Sequence, residues 1–219
     1  MIVPYIKKNP TIAVLALQGA FIEHEQRLRA LGCDVFELRQ LNDLNKAFDG
    51  LVLPGGESTT QTKLLHDLNM FEPLKKLIVE GMPVLGTCAG LILLAKDVEN
   101  ASDGRQPAKP DSHNAQLMDF PECFDTMPIT VRRNGYGRQL GSFHANSPLS
   151  IGGKNLGSIP MTFIRAPRIV SVREDVEILA KIDEDPVAVR FENQIGIAFH
   201  PELDKDDKLY QLFLDRINY

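Results

Sequence analysis

Short apolar runs alternate with helix-patterned segments through the first hundred residues, and few architectures accommodate that order. The run TIAVLAL at Thr11–Leu17 leaves no face for water, as expected of a parallel strand covered on both sides by helices. Gln18-Gly19 ends it, and Phe21–Leu31 then spaces Phe21, Ile22, Leu28, Ala30 and Leu31 in a helical manner up to a stop at Gly32. Strands are predicted again at Val35–Leu38, Gly50–Leu53 and Pro83–Gly86. Helices are predicted over Thr59–Leu68 and Phe71–Glu80, and after Cys88 through Ala95. Parallel strands need long crossovers, which helices supply on either face. The pattern therefore predicts an α/β fold in three layers, a mostly parallel central sheet with helices on both faces.

The alternation stops near Val98. From there to Pro128 the chain is rich in Pro, Asp, Ser and Asn and reads as a surface insertion. Short β-rich pieces follow at Ile129–Arg132, Met161–Arg165, Val176–Ile182, Pro186–Phe191 and Gln194–Phe199, expected as a few added antiparallel strands. Lys208–Ile217 closes the chain as a helix with Leu209, Phe213 and Leu214 inward. At 219 residues without an internal repeat, the chain is expected to form one domain over 1–219.

Composition narrows the partners. A net charge of -5, with no basic stripe interleaved with aromatics, argues against nucleic acid. The opening ten residues hold too short an apolar piece for a signal peptide core or a membrane span, so the cytoplasm is the expected compartment. Cys33, Cys88 and Cys123 cannot all pair with one another, and none belongs to a Cys-x-x-Cys pair. His24, His66, His113 and His144 fall on predicted helices or loops without spacing for a metal site. Neither a metal nor a cofactor is expected.

Three segments carry chemistry. Gly86-Thr87-Cys88-Ala89-Gly90 lies between a predicted strand and a predicted helix, the setting of a nucleophile elbow with sulfur in place of oxygen. Small neighbours permit the sharp turn, the helix N-terminus favours thiolate, and the Ala89 amide can face a developing oxyanion. A cysteine by itself is more often a small buried apolar side chain; the strand-turn-helix setting is what argues for catalysis. His200-Pro201-Glu202 follows another apolar run and belongs at a strand's carboxyl end, where open α/β sheets place their sites. There His200 can move protons while Glu202 holds its ring, although an isolated His-Pro-Glu is more often a strand-ending turn. In Leu53-Pro54-Gly55-Gly56-Glu57-Ser58-Thr59, the paired glycines let an amide turn toward an oxyanion, and Glu57 suits an ammonium group rather than phosphate. A plain glycine-rich turn is the competing reading.

Together these residues resemble the class I (triad) glutamine amidotransferases. LALQG, GLVLPGGESTT, GTCAGLILLAK, VRRNGYGRQLGSF, FIRAP and FHPEL are similar to one branch of them, the glutaminase subunits of pyridoxal 5′-phosphate synthase. The resemblance spans nearly the whole chain, and PGGEST with a downstream IRAP is its most specific part. It implies Cys88, His200 and Glu202 as the triad and Gly55, Gly56, Glu57, Arg138, Ile164 and Arg165 as the L-glutamine contacts. Gln18 then lies near the oxyanion site with Gly56 and Ala89. The implied partner is a separate synthase subunit that receives ammonia, because nothing in this chain offers a phosphosugar site. A γ-glutamyl hydrolase or related cysteine peptidase, or a non-catalytic binding subunit, are the alternatives; FIRAP and PGGEST speak against the first, the intact triad against the second.

Overall fold

The computed structural model describes residues 9–99, 122–136 and 142–217. Its first half follows the expected alternation: β1 (Thr11–Leu15), α1 (Phe21–Ala30), β2 (Asp34–Leu38), β3 (Gly50–Leu53), α2 (Ser58–Asp67), α3 (Phe71–Val79), β4 (Val84–Thr87) and α4 (Ala89–Leu94). The second half contains β5 (Ala95–Glu99), β6 (Met127–Arg132), β7 (Ser142–Ile151), β8 (Lys154–Ile164), β9 (Arg168–Val172), β10 (Glu177–Ile182), β11 (Asp185–Phe191) and β12 (Gln194–Ile197). A 3-10 turn at Pro201–Leu203 and α5 (Lys208–Ile217) follow.

A seven-stranded sheet runs β10-β11-β12-β4-β3-β1-β2. From β12 to β2 every neighbouring pair is parallel. Only β11 opposes its two neighbours. The segment beginning at Gln194, expected among the antiparallel additions, is thus antiparallel to β11 but parallel to β4. Its full burial explains the placement, since only a central strand is covered on both faces.

Both layers of helix can be traced from contacts at glycines. Leu53, Gly86 and Gly196 lie level on three adjacent strands. A Cβ on Gly86 would strike Leu94, and one on Gly196 would strike Leu91, so this face carries α4. Gly50 sits three residues before Leu53 and therefore points to the other face. A Cβ there would strike Phe213 and Ile217 of α5. The apolar residues beneath both layers join one core that also takes in the smaller sheets.

Two smaller sheets flank the main one, β5-β6-β9 and the β7-β8 ribbon. α4 was expected to include Ala95, but the helix ends at Leu94. The returning chain supplies the reason: the Phe124 and Thr126 amides donate to the carbonyls of Leu93 and Leu94, at 2.7 and 3.1 Å, and Ala95 turns extended into β5. Of the segment read as an insertion, residues 100–121 lie outside the described residues. Its flanks belong to the core, where Phe124 and Met127 are fully buried.

Candidate active site

β4 and β12 end level with each other, with Thr87 opposite Ile197, so the residues that follow each strand meet at one sheet edge. Cys88 turns there with φ 48° and ψ −99°, a conformation that side chains other than glycine rarely adopt. Its amide donates to the Ile197 carbonyl at 2.8 Å, tying the turn to β12. Gly90 makes the turn possible, because a Cβ on it would overlap the Leu53 carbonyl oxygen. α4 begins at Ala89, whose amide, in the first turn, has no intrahelical acceptor.

His200 reaches the same edge from β12. Its amide donates to the Thr162 carbonyl at 2.8 Å, and its ring lies against Gly55, where a Cβ would come within 2.6 Å of Cε1. His200 Nδ1–H donates to Glu202 Oε1 at 2.6 Å, and both residues are buried. Burial works against a charge on His200. The hydrogen bond with Cys88, the one with Glu202 and the attraction of both groups overcome it and raise His200 to about 10. Burial likewise opposes the charge on Glu202, but the neighbouring His24 and the bond from His200 keep it below the usual carboxylate range. Cys33 and Cys123 behave differently: burial pushes them up to about 11 and about 12. No disulfide joins any of the three thiols.

The Pro54–Glu57 turn is held in place by Gln18 and its neighbours. The Glu57 amide donates to Gln18 Oε1 at 2.7 Å, and the Ala20 amide donates to the Gly55 carbonyl at 3.0 Å. From below, the buried Gln61 Nε2 donates to the Gln18 and Pro54 carbonyls, at 2.9 and 3.2 Å. Gly56 has no room for a side chain, since a Cβ would meet both Gln18 and Gln61. Glu57 itself caps α2, accepting from the Thr60 amide at 2.7 Å and the Thr59 amide at 3.2 Å. Despite partial burial, these bonds hold Glu57 below the usual carboxylate range.

Opposite Glu57 stands Arg133, its guanidinium 3.0 Å from Glu57 Oε1. Sequence reasoning named Arg138 from the same motif, and that residue lies outside the described ones. Arg133 follows directly on β6, whose strand pattern is the signal that could have found it. The turn that follows it docks through Gly135 N–H to the Ala166 carbonyl, 3.2 Å away. That contact joins the turn to the chain just after β8, where Ile164 is partly exposed and Arg165 has φ 47°. Tyr136, Phe143, Phe163 and Phe199 pack their rings together beneath this turn. Of the remaining histidines, His144 was expected on a helix or loop but lies in β7, bonded to the Thr162 hydroxyl at 3.0 Å. His24 is fully buried behind Glu202, and sequence reasoning gave it no part in the site.

A family model described as the SNO glutamine amidotransferase family matches residues 14–219. A protein of Desulfitobacterium hafniense (strain DSM 10664 / DCB-2), named Pyridoxal 5'-phosphate synthase subunit PdxT, is 53% identical over 207 residues, covering 94% of this chain and 93% of its own. A protein of Methanocorpusculum labreanum (strain ATCC 43576 / DSM 4855 / Z) with the same name is 50% identical over 206 residues, covering 94% and 97%. Among solved structures, one described as a glutamine amidotransferase superposes with a TM-score of 0.79 at 34% identity, covering 95% of this chain and 99% of its own.

Proposed function

The chain belongs to the SNO glutamine amidotransferase family, and from that premise we propose that it releases ammonia from L-glutamine through a thioester on Cys88. The ammonia passes to a separate synthase subunit that builds pyridoxal 5′-phosphate, the complex named for the relatives. A peptidase or γ-glutamyl hydrolase reading is not favoured beside relatives of this kind.

The observation that carries the proposal is the junction of Cys88, His200 and Glu202 at the ends of β4 and β12. Cys88 Sγ adds to the side-chain amide carbon of glutamine, and the oxygen becomes an oxyanion facing the amides of Ala89 and Gly56. His200, already carrying its proton, gives it to the amide nitrogen, and ammonia leaves a γ-glutamyl thioester. Water then attacks the thioester, His200 takes up the water's proton, and glutamate departs as the thiolate–imidazolium pair is restored. Glu202 keeps the imidazole aimed throughout. Glu57 and Arg133 form a pair of opposite charges matched to the α-ammonium and α-carboxylate of an amino acid, with Gly55, Ile164 and Arg165 completing the recognition surface.

Ammonia becomes protonated in neutral water and loses its nucleophilicity, so a dry path into a bound partner serves the acceptor reaction. Among the described residues no helix is long and apolar enough to cross a membrane. The three thiols suit a reducing compartment, and the cytoplasm is the proposed one. The single core supports reading 1–219 as one functional unit. Ammonia release from glutamine, measured with the synthase subunit present, should vanish in Cys88→Ala while binding of the synthase persists. Turnover surviving in that variant would sink the assignment.

A further inference from the structure

Behind the triad stands a buried histidine that none of these steps uses. Thr87 follows Gly86 in β4, so its side chain points to the face opposite α4 and meets α1. There His24 Nε2 lies 3.0 Å from Thr87 Oγ1 and 3.4 Å from Glu202 Oε2. On its other side, Nδ1 is 2.8 Å from the Tyr210 hydroxyl of α5. His24, Thr87 and Tyr210 are each fully buried. Glu202 Oε2 is also buried and has no hydrogen-bond partner, and His24 Nε2, 3.4 Å away, is the polar group set against it.

The tautomer of His24 follows from its surroundings. Burial holds the ring below the ordinary imidazole range, against the pull of Glu202, so it carries one N–H and one lone pair. Burial also raises Tyr210, which stays a phenol able to donate. A lone pair on Nε2 would face the Glu202 carboxylate and be repelled, whereas an N–H there is attracted. Tyr210 O–H therefore donates to Nδ1, and Nε2–H points between Thr87 and Glu202. The carboxylate is thus held at both ends, Oε1 by the hydrogen bond from His200 and Oε2 by the attraction of the His24 ring 3.4 Å away.

We propose that His24, fixed in one tautomer by Tyr210, is a positioning residue that holds the Glu202 carboxylate and thereby aims His200 at Cys88. A carboxylate restrained at one oxygen only can swing about its last torsion and take the imidazole with it. Restrained at both, it offers His200 a single direction. Thr87 brings the residue before the nucleophile into the same network, so the two halves of the site share one anchor. The inference rests on the triad reading given above.

The test is the steady-state glutaminase activity of the complex with the synthase subunit, comparing wild type with Tyr210→Phe, His24→Leu and His24→Gln, each alone and combined with Glu202→Gln. Tyr210→Phe should lower kcat about fivefold, the scale of one neutral hydrogen bond. His24→Leu should lower it roughly 10- to 100-fold, as losses of supporting bonds do at metal-bound histidines. KM should not move in either. His24→Gln keeps an N–H close to the Nε2 position and should recover most of the loss. In the Glu202→Gln background Tyr210→Phe should cost nothing further, because its effect runs through that carboxylate. Full kcat in Tyr210→Phe and His24→Leu, or losses that multiply with Glu202→Gln, would overturn the proposal. Should His24→Leu fail to fold, Tyr210→Phe decides, since it leaves the packing in place. Turnover by Cys88→Ala would instead overturn the triad itself, whereas a Cys88-dependent enzyme indifferent to His24 and Tyr210 overturns only the positioning role.

Discussion

A histidine that keeps its proton to about pH 10 acts first as an acid. Because the shift is upward, the imidazolium is present below that pH and is lost as the pH rises through it. The His200 ring signals followed by NMR should therefore show no titration step near the ordinary imidazole value of about 6.5, and one near 10. A step near 6.5 would contradict the raised value of His200. Cys33 and Cys123, pushed up by burial, should resist alkylation by iodoacetamide near neutral pH, and their replacement by serine should spare activity. At this scale the sequence was most legible where a residue's role depends on its immediate neighbours. Cys88 and His200 could be read because each follows a short apolar strand, and strand ends are where such sites lie. Arg133 and His24 owe their positions to contacts from distant parts of the chain, with Glu57 and with Glu202 and Tyr210 respectively. The strand pattern of β6 places Arg133 at a strand end, but nothing in the local sequence of either residue names its distant partner.

Among the elements, β4, the Cys88 turn and α4 form the unit on which the site depends most. Its tight packing rests on Gly90, where any side chain would intrude on Leu53. Gly90→Ala should destabilise the protein by about 2–3 kcal/mol, or about 5–10 °C in Tm, and reduce activity as the turn is displaced. Thermal unfolding followed by circular dichroism measures this, and an unchanged Tm would contradict the packing described. The central strands β1, β3, β4 and β12 were legible because burial on both faces leaves them almost wholly apolar. β7 was not: SFHANSPLSI is polar and contains a proline, and it is a strand because β8 pairs along its length. β5 was hidden for the opposite reason, since its first residue continues the apolar run of α4. The end of that helix is set by Phe124 and Thr126, far along the chain.

At the scale of the whole molecule, the glutaminase has reason to respond to its partner. The Gly55–Gly56 turn is tied to the segment after β1 by the Ala20–Gly55 and Glu57–Gln18 bonds, all at the strand-end edge. A partner docking there can reset these bonds and so turn the Gly56 amide toward the oxyanion. One missing oxyanion donor costs roughly 100- to 1000-fold in turnover, so the isolated protein should be slow rather than inert. Single-turnover kinetics with and without the synthase subunit should show that acceleration in the acylation step, with a smaller change in glutamine affinity. Equal rates would rule out gating while leaving the Cys88 chemistry intact. That chemistry is tested most directly by rapid acid quench of the complex during turnover of glutamine, followed by peptide mass spectrometry. The account predicts a γ-glutamyl adduct on the Cys88 peptide that forms before steady ammonia release and is absent in Cys88→Ala. Ammonia released with no adduct on Cys88, or an adduct on Cys33 or Cys123 instead, would contradict it.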